Sequence, residues 1–464
     1  MTGSTESNPT PAACCGGSAD PAPAARPAAG SATDAPAGPR SWTVDEHLAD
    51  VLAAVGPLPA IELRLLDAQD CRLDEDVLAD GDLPPFDNSS MDGYALRTAD
   101  TVGATAQYPS VLAVVGDIAA GAGDLPKVGP GQAARIMTGA PVPPGAQAVA
   151  PVEWTDGGSG SGRAADAMSA PVEDEEVRVL RPVSEGAHIR RRGSDVAAGS
   201  RVLEAGTRLG PTQLGLLAAI GRATVKVRPR PRVVVLSTGS ELVQPGEPVG
   251  PGQIADSNSF TLTAAARDAG AIAYRVGGVP DDAARLRAVL EDQLGRADLI
   301  VTSGGVSVGA YDVVKEVFES YGGVDFRRLR MQPGKPQGFG RIGAGAAGPG
   351  GAGVPLLALP GNPVSAYISF ELFVRPVIRT MLGAADVHRP VVRALCPAAL
   401  RSPAGRRQFL RGRYDAAAGV VEPVGGAGSH LVGALARADC LITVPEDVTE
   451  LPAGSEVDVV LLGG

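Results

Sequence analysis

At 464 residues, the chain is longer than the roughly 250 to 300 residues at which one hydrophobic core stops growing, so three or four domains are expected. Its 44% hydrophobic, 20% charged and 4% aromatic residues form an ordinary soluble composition, and no apolar run approaches the ~20 residues that span a bilayer. With 41 basic against 52 acidic residues and a net charge of -11, nonspecific binding to nucleic acid or anionic membrane is disfavoured, and a bound anion must be captured by a local group of cations.

Residues 1–40 are Pro, Ala, Gly, Ser and Thr with almost no large apolar side chain. They read as a disordered tail that cannot offset its ordering entropy. The opening MTGSTESNPT lacks the basic start and apolar stretch of a signal peptide, which predicts a cytoplasmic protein. From Trp42, VDEHLADVLAAV has helical spacing, and the text around Ile61 to Ala79 predicts an extended piece followed by a helix over Leu66 to Ala79. This helical material (41–80), with its return at 194–228, is read as a linking domain. Between them, 81–193 is a β-rich insert of short runs punctuated by Gly and Pro, such as VLAVVGDIAAG and QAARIMTGAPVPPG. Its inner loop, Asp156 to Glu176, ends in the acidic run EDEE, read as a solvated hairpin excursion.

From 229 to 385 the pattern becomes strand, polar turn, helix. PRVVVLSTGSE, AIAYRVGGV, DLIVTSGG and VPLLALPG are strands; SFTLTAAARDAG, DDAARLRAVLEDQLGRA and YDVVKEVFESYGG are helices. The alternation predicts a doubly wound, mostly parallel α/β sheet. The short runs after it (386–464) predict a C-terminal β-barrel-like domain. The chain is thus a multidomain α/β protein. Five cysteines without metal-ligand spacing read as buried or tolerated thiols, and four unpaired histidines make a histidine metal site improbable.

In such sheets ligands bind beyond the carboxyl ends of the strands. Here those ends read STGSE, VPDD, TSGGVS and LPGNPVS. They carry Glu241, Asp281 and, after the Gly-rich GGVSVGAY, Asp312. Acids at helix N-termini are usually caps. This many carboxylates on one edge instead suggests a divalent cation, with Mg²⁺ the economical choice for oxygen ligands. Gly304, Gly305, Ser307 and Gly309 form neither a GxxxxGK[ST] loop nor a complete GxGxxG, so an ATPase or dinucleotide site is disfavoured. The loop still suits phosphate binding through backbone N–H groups. Lys335 sits between two prolines on a rigid turn, and GNPVS opens a helix at Ser365, a second anion candidate. In the insert, Asp92 lies in MDGY among residues that suggest partial burial. RRRGSD offers either an exposed basic edge or a turn presenting Asp195 beside guanidinium groups.

Taken in order, SSMDGYA, RIMTGAPVP, RRRGSD, STGSEL, SGGVSVG, PGKP and LPGNPVS closely resemble the molybdopterin molybdenumtransferase family, which includes the C-terminal domain of gephyrin. The resemblance runs from about Trp42 to the end. It implies that 229–385 is a molybdopterin-binding domain, and a Mg²⁺-dependent reaction of molybdate with adenylylated molybdopterin that cleaves the phosphoanhydride and releases AMP. It implies Asp92, Thr138, Asp195, Glu241, Asp281 and Asp312 as functional acids and polar groups, with Glu241 and Asp281 on the metal. Ser307, Lys335, Pro336, Ser365, Arg411 and Ser429 are implied as molybdate or pterin-phosphate contacts. It further implies a homodimer in which Asp92, Thr138 and Asp195 complete the partner chain's site, with a molybdopterin adenylyltransferase as a possible partner. Ser240 replaces the acid of the relatives' STGDEL, and Arg328 and Gln332 stand where lysines often precede PGKP. The alternatives are adenylylation of molybdopterin and a non-catalytic dimeric scaffold of the same fold.

Overall fold

The computed structural model describes residues 41–172, 174–306, 313–321, 323–343 and 353–463. At its centre is a seven-stranded sheet in the spatial order Ser41–Trp42, Val324–Leu329, Pro336–Ile342, Val354–Leu359, Leu299–Ser303, Arg232–Thr238, Ile272–Val279. The last four strands in that order run parallel, and Pro336–Ile342 is antiparallel to both of its neighbours. Successive side chains of a strand face opposite ways. Accordingly Val233, Val235, Leu299, Val301, Leu357 and Leu359 enter one core, while Val234, Leu236, Ile300, Leu356 and Ala358 enter the other. Burial on both faces explains why these strands read as unbroken apolar runs rather than alternating ones.

The helices Asn258–Asp268, Ala283–Leu294 and Val313–Ser320 match the sequence reading. The helix opening at Pro363 runs through a π-turn, Phe370–Val374, into Arg375–Met381. The turn lies just ahead of Pro376, whose missing N–H and bulky ring would disrupt a regular i→i−4 ladder there.

The leading helix, Val44–Ala53, is fixed by a capping box: Glu46 N–H donates to Thr43 Oγ1 at 3.0 Å and Thr43 N–H donates to Glu46 at 2.8 Å. It buries Val44 and Val51 in the core of the central sheet rather than among the linking residues. The helix expected over Leu66 to Ala79 does not form. Turns fill 65–70, and Arg72–Leu73 and Val77–Leu78 are short strands paired with Thr224–Arg228 and Arg201–Leu203. Beyond the leading helix, the described linking residues hold one helix, Pro211–Ala219, among short strands around Leu73, Leu209, Leu217 and Val227.

The insert is a five-stranded sheet in the order Glu176–Val179, Ser110–Ile118, Gln132–Ile136, Gly93–Leu96, Ala148–Pro151, with apolar residues on both faces. Its acidic run is not wholly solvated. Glu175 is 5% exposed and accepts from Arg135, itself 4% exposed, at 3.0 Å. Asp156 is also buried and accepts backbone N–H groups from Gly158, Gly162 and Arg178. Two carboxylates fold this loop back onto the sheet.

The C-terminal strands close a five-stranded barrel. Arg407–Asp415 pairs with both Val420–Pro423 and Cys440–Val444, and Val391–Cys396 and Ser455–Leu461 complete the ring. Met331–Gln332 adds to it in parallel beside Arg407–Gln408. Cys71, Cys396 and Cys440 are buried free thiols.

Candidate active site

The carboxyl ends of the parallel strands face the barrel across a cleft of about 1100 Å³. Small residues are needed where the strand-end loops meet. Gly304 holds φ +100, and a Cβ there would lie 2.5 Å from the Thr238 carbonyl oxygen. Asn258 ties these loops together, its Nδ2 donating to Ser303 Oγ at 2.8 Å and to the Gly361 carbonyl at 2.7 Å. Asp256 is 1% exposed and accepts from Ser237 Oγ and from the Ser259 amide and hydroxyl. Both residues build the floor of the cleft. Asp256 has its charge satisfied by those donors.

Glu241 and Asp281 line the cleft beyond the ends of Arg232–Thr238 and Ile272–Val279. Gly239 N–H donates to the Val279 carbonyl at 3.0 Å, which binds the two turns together. Lys335 and Pro336 line the cleft at the start of Pro336–Ile342. Three strand steps of about 4.8 Å separate the Lys335 strand from the Glu241 strand and a fourth reaches the Asp281 strand, so the acidic flank lies roughly 14 to 19 Å from the lysine side. The cleft thus has an acidic flank and a cationic flank.

Ser365 and Ser429 also line it. The loop carrying Ser429 is seated on the α/β layer, with Val364 N–H donating to the Ser429 carbonyl at 3.0 Å. Arg411, 3% exposed, lies behind that loop and donates to the carbonyls of Gly426 and Gly428, while its Nε is buried without a hydrogen-bond partner. Ser307 and Asp312 lie outside the described residues.

Asp92, Thr138 and Asp195 do not line this cleft. Asp92 and Thr138 meet in the insert, whereas Asp195 follows it and donates its backbone N–H to the Leu83 carbonyl. Asp92 accepts from the Thr138 amide at 2.6 Å and hydroxyl at 2.8 Å. Gly93 lies against Ala150 so closely that a Cβ would come within 2.0 Å of its carbonyl oxygen. The arginines of RRRGSD pair with earlier acids rather than with Asp195: Arg191 with Asp87 at 2.6 Å, Arg192 with Asp82 at 2.5 Å. The Arg192 amide, followed by the Arg191 guanidinium, holds Asp87 below the usual carboxylate range. Asp82 is lowered by the Ala198 amide and then by Arg192.

Among the described residues no group of three or more His, Cys, Asp or Glu is arranged to hold a metal. Two lining side chains able to carry a positive charge were missed in the sequence, Arg406 and His430. Both belong to the barrel and reach the cleft only because the barrel folds back on the sheet. No local motif marks them.

Three family descriptions match almost the whole described chain: "MoeA N-terminal region (domain I and II)" over 42–221, "Probable molybdopterin binding domain" over 234–380 and "MoeA C-terminal region (domain IV)" over 393–462. The chain belongs to the MoeA family. Among its relatives, "Molybdopterin molybdenumtransferase 2" of Mycobacterium tuberculosis is 47% identical over 90% of this chain and 98% of its own length. "Molybdopterin molybdenumtransferase" of Haemophilus influenzae is 35% identical over 83% and 89%. A crystal structure of "molybdopterin biosynthesis moea protein" from Pyrococcus horikosii superposes with TM-score 0.70 and 32% identity, covering 92% of this chain and 100% of that one.

Proposed function

We propose that this chain is a molybdopterin molybdenumtransferase, inserting molybdenum from molybdate into adenylylated molybdopterin with release of AMP. The observation that carries this reading is one cleft with acids on one flank and cations on the other. Such a cleft suits a long ligand with a phosphoanhydride, and a separate oxyanion. Glu241 and Asp281 face the phosphoanhydride in this reading, and Lys335 the oxyanion, with Ser365, Ser429 and Pro336 shaping its subsite. Arg411 supports that subsite from behind the Ser429 loop. Ser307 and Asp312 are kept in this reading on the family resemblance of their sequence alone.

The donor set bears on Mg²⁺. Two carboxylates without a third ligand do not make a protein cage, but Mg²⁺ keeps several waters and is held by one or two carboxylates plus substrate phosphates. Glu241 and Asp281 would hold it in that way, and the ion would neutralise charge on the phosphoanhydride.

Asp92, Thr138 and Asp195 are polar and exposed, away from this cleft. We assign them to the cleft of a second copy, which makes the working unit a homodimer. The domain division that goes with this reading is a tail (1–40), a linking domain (41–80 and 194–228), the insert (81–193), the α/β domain (229–385) and the barrel (386–464). The enzyme would act in the cytoplasm and take its substrate from a molybdopterin adenylyltransferase. No described helix is long and apolar enough to cross a membrane.

The test is incubation of the purified protein with adenylylated molybdopterin, Mg²⁺ and molybdate, with AMP measured. Folded protein that releases no AMP from verified substrate would sink the reading. Consumption of ATP with pyrophosphate release would instead favour adenylylation. Mixing Asp92→Asn with Glu241→Gln chains tests the two-copy site: recovery of AMP release supports it, and no recovery in proven mixed dimers refutes it.

A further inference from the structure

We infer that Gln337 is a positioning residue that holds the Lys335 turn at a set distance from the Ser365 helix, and so selects the size of the anion admitted between them. The inference deepens the proposed function and rests on it for the oxyanion itself. Gln337 is 1% exposed, on the strand Pro336–Ile342 that the Lys335 turn leads into. Its Nε2 donates to the Gly334 carbonyl at 2.7 Å and to Ser369 Oγ at 2.6 Å. Both amide hydrogens are thereby used, and because a carbonyl can only accept, the orientation of the side chain is fixed.

The strand pattern makes this residue unusual. Positions two apart share one face of a strand, and Phe339 enters the same core as Ile368, Phe370 and Phe373 of the helical segment that follows Pro363. An apolar side chain would suit position 337 equally well by that pattern. An amide in such surroundings costs free energy unless its hydrogen bonds are made.

Its two partners belong to the two elements assigned to the oxyanion side of the cleft. Gly334 immediately precedes Lys335, and at φ +98 it packs so closely that a Cβ would lie 3.0 Å from Ser369 Oγ. Ser369, 0% exposed, stands four residues after Ser365 in the helix Pro363–Ser369, one turn along the same face. The turn is also held by its backbone, where Leu329 N–H donates to the Lys335 carbonyl at 2.8 Å. One buried side chain thus joins the turn that presents the lysine to the helix that presents the serine. A gap fixed in this way suits a tetrahedral anion of one size, and sulfate, of the same charge, is smaller than molybdate.

The test uses the full chain and titration calorimetry with two probes, molybdate and sulfate. Wild type is compared with Gln337→Leu, which keeps the side chain's bulk but cannot donate, and with Ser369→Ala, which removes the acceptor on the helix. Gln293→Leu removes another buried glutamine, 8% exposed, on the helix Ala283–Leu294 outside the cleft. Thermal unfolding establishes that each variant is folded. The expected result for Gln337→Leu is molybdate binding weaker by roughly threefold to tenfold, the scale of one hydrogen bond. Sulfate should weaken less, so that the preference for molybdate narrows. Ser369→Ala should shift both affinities in the same direction by a smaller factor, and it decides the matter if Gln337→Leu does not fold. Gln293→Leu should bind as wild type does. In a Lys335→Ala background Gln337→Leu should cost little further affinity, because its effect passes through that lysine. Without any ligand, hydrogen exchange at the Leu329 amide, which the Lys335 carbonyl protects, should quicken in Gln337→Leu. Equal weakening of both anions, a full loss that persists in the Lys335→Ala background, or unchanged exchange overturns the inference. Wild-type protein that binds neither anion overturns it as well. Wild-type protein that binds molybdate yet releases no AMP from adenylylated molybdopterin would refute the proposed reaction and leave the Gln337 result standing.

Discussion

Ser240 and Asp281 hold one another across two turns: the Ser240 amide donates to the Asp281 carboxylate at 3.1 Å, and the Asp281 amide donates to the Ser240 hydroxyl at 3.0 Å. Ser240 thus orients the residue whose carboxylate is proposed to hold Mg²⁺. Ser240→Ala removes one of the two bonds, a loss of about 1 kcal/mol. The half-saturating Mg²⁺ concentration for AMP release should rise several-fold. Ser240→Asp keeps an acceptor for the Asp281 amide and adds a second negative charge, so half-saturation should fall below the wild-type value. Equal Mg²⁺ dependence in all three proteins would show that the pair does not bear on the metal.

Gln332 lines the cleft as a neutral group where lysines are common in the family resemblance. Gln332→Lys places another cation near Lys335 and should tighten molybdate binding by about tenfold, the scale of one charge-assisted hydrogen bond. Calorimetry with molybdate and tungstate side by side would show whether the gain is shared. Unchanged binding of both would mean the position does not reach the oxyanion.

Glu175 answers Arg135 inside the insert, with side chains 3% and 5% exposed. Without Glu175 the buried Arg135 guanidinium keeps only the exposed Asp117, 3.9 Å from its Nε, and the cost approaches the roughly 3–5 kcal/mol of a broken buried pair. Glu175→Ala should lower the melting temperature clearly, whereas Glu176→Ala, at an exposed position one residue on, should not. Similar melting curves for both would contradict the buried-pair account.

His47 packs edge-on against Phe373 with centroids 4.8 Å apart and lies 3.4 Å from Arg327 Nη1. Burial, and then the Arg327 charge, push its pKa from 6.5 down to about 4. The unfolded chain takes up a proton near pH 6.5 and the folded chain only near 4, so His47 contributes its full stability above 6.5. That contribution falls as pH drops toward 4, by about 3 kcal/mol at most. Chemical denaturation at several pH values should show this slope in wild type, and His47→Phe should flatten it. An unchanged slope in the variant would assign the acid sensitivity elsewhere.

Much of the α/β layer was legible because its parallel strands are buried on both faces and its helices carry their own start and stop signals. Glu241, Asp281 and Ser365 could be read as one edge for the same reason, since the strand–turn–helix order fixes where turns emerge; Lys335 could be read only as a cation on a rigid turn, because the antiparallel strand it leads into, Pro336–Ile342, falls outside that order. Other features depended on distant partners. The segment Leu66 to Ala79 has helical spacing, but its residues pair with strands more than a hundred positions away, and Asp70 adopts φ 65. Tertiary pairing overrode local preference there. Glu175 resembled a solvated acid because its partner, Arg135, lies in another strand. Arg406 and His430 were invisible as lining residues until the barrel was seen to close over the sheet.

The short strand Met331–Gln332 leaves the α/β layer, joins the barrel at Arg407–Gln408, and returns through Lys335 to the central sheet. With the Asp45–Arg407 and Val364–Ser429 contacts, it stitches floor and roof into one fabric. The barrel is therefore a poor swinging door. A ligand as long as an adenylylated pterin must thread the cleft from its open side, so substitutions along that rim should alter the rates of uptake and release before they alter the chemistry.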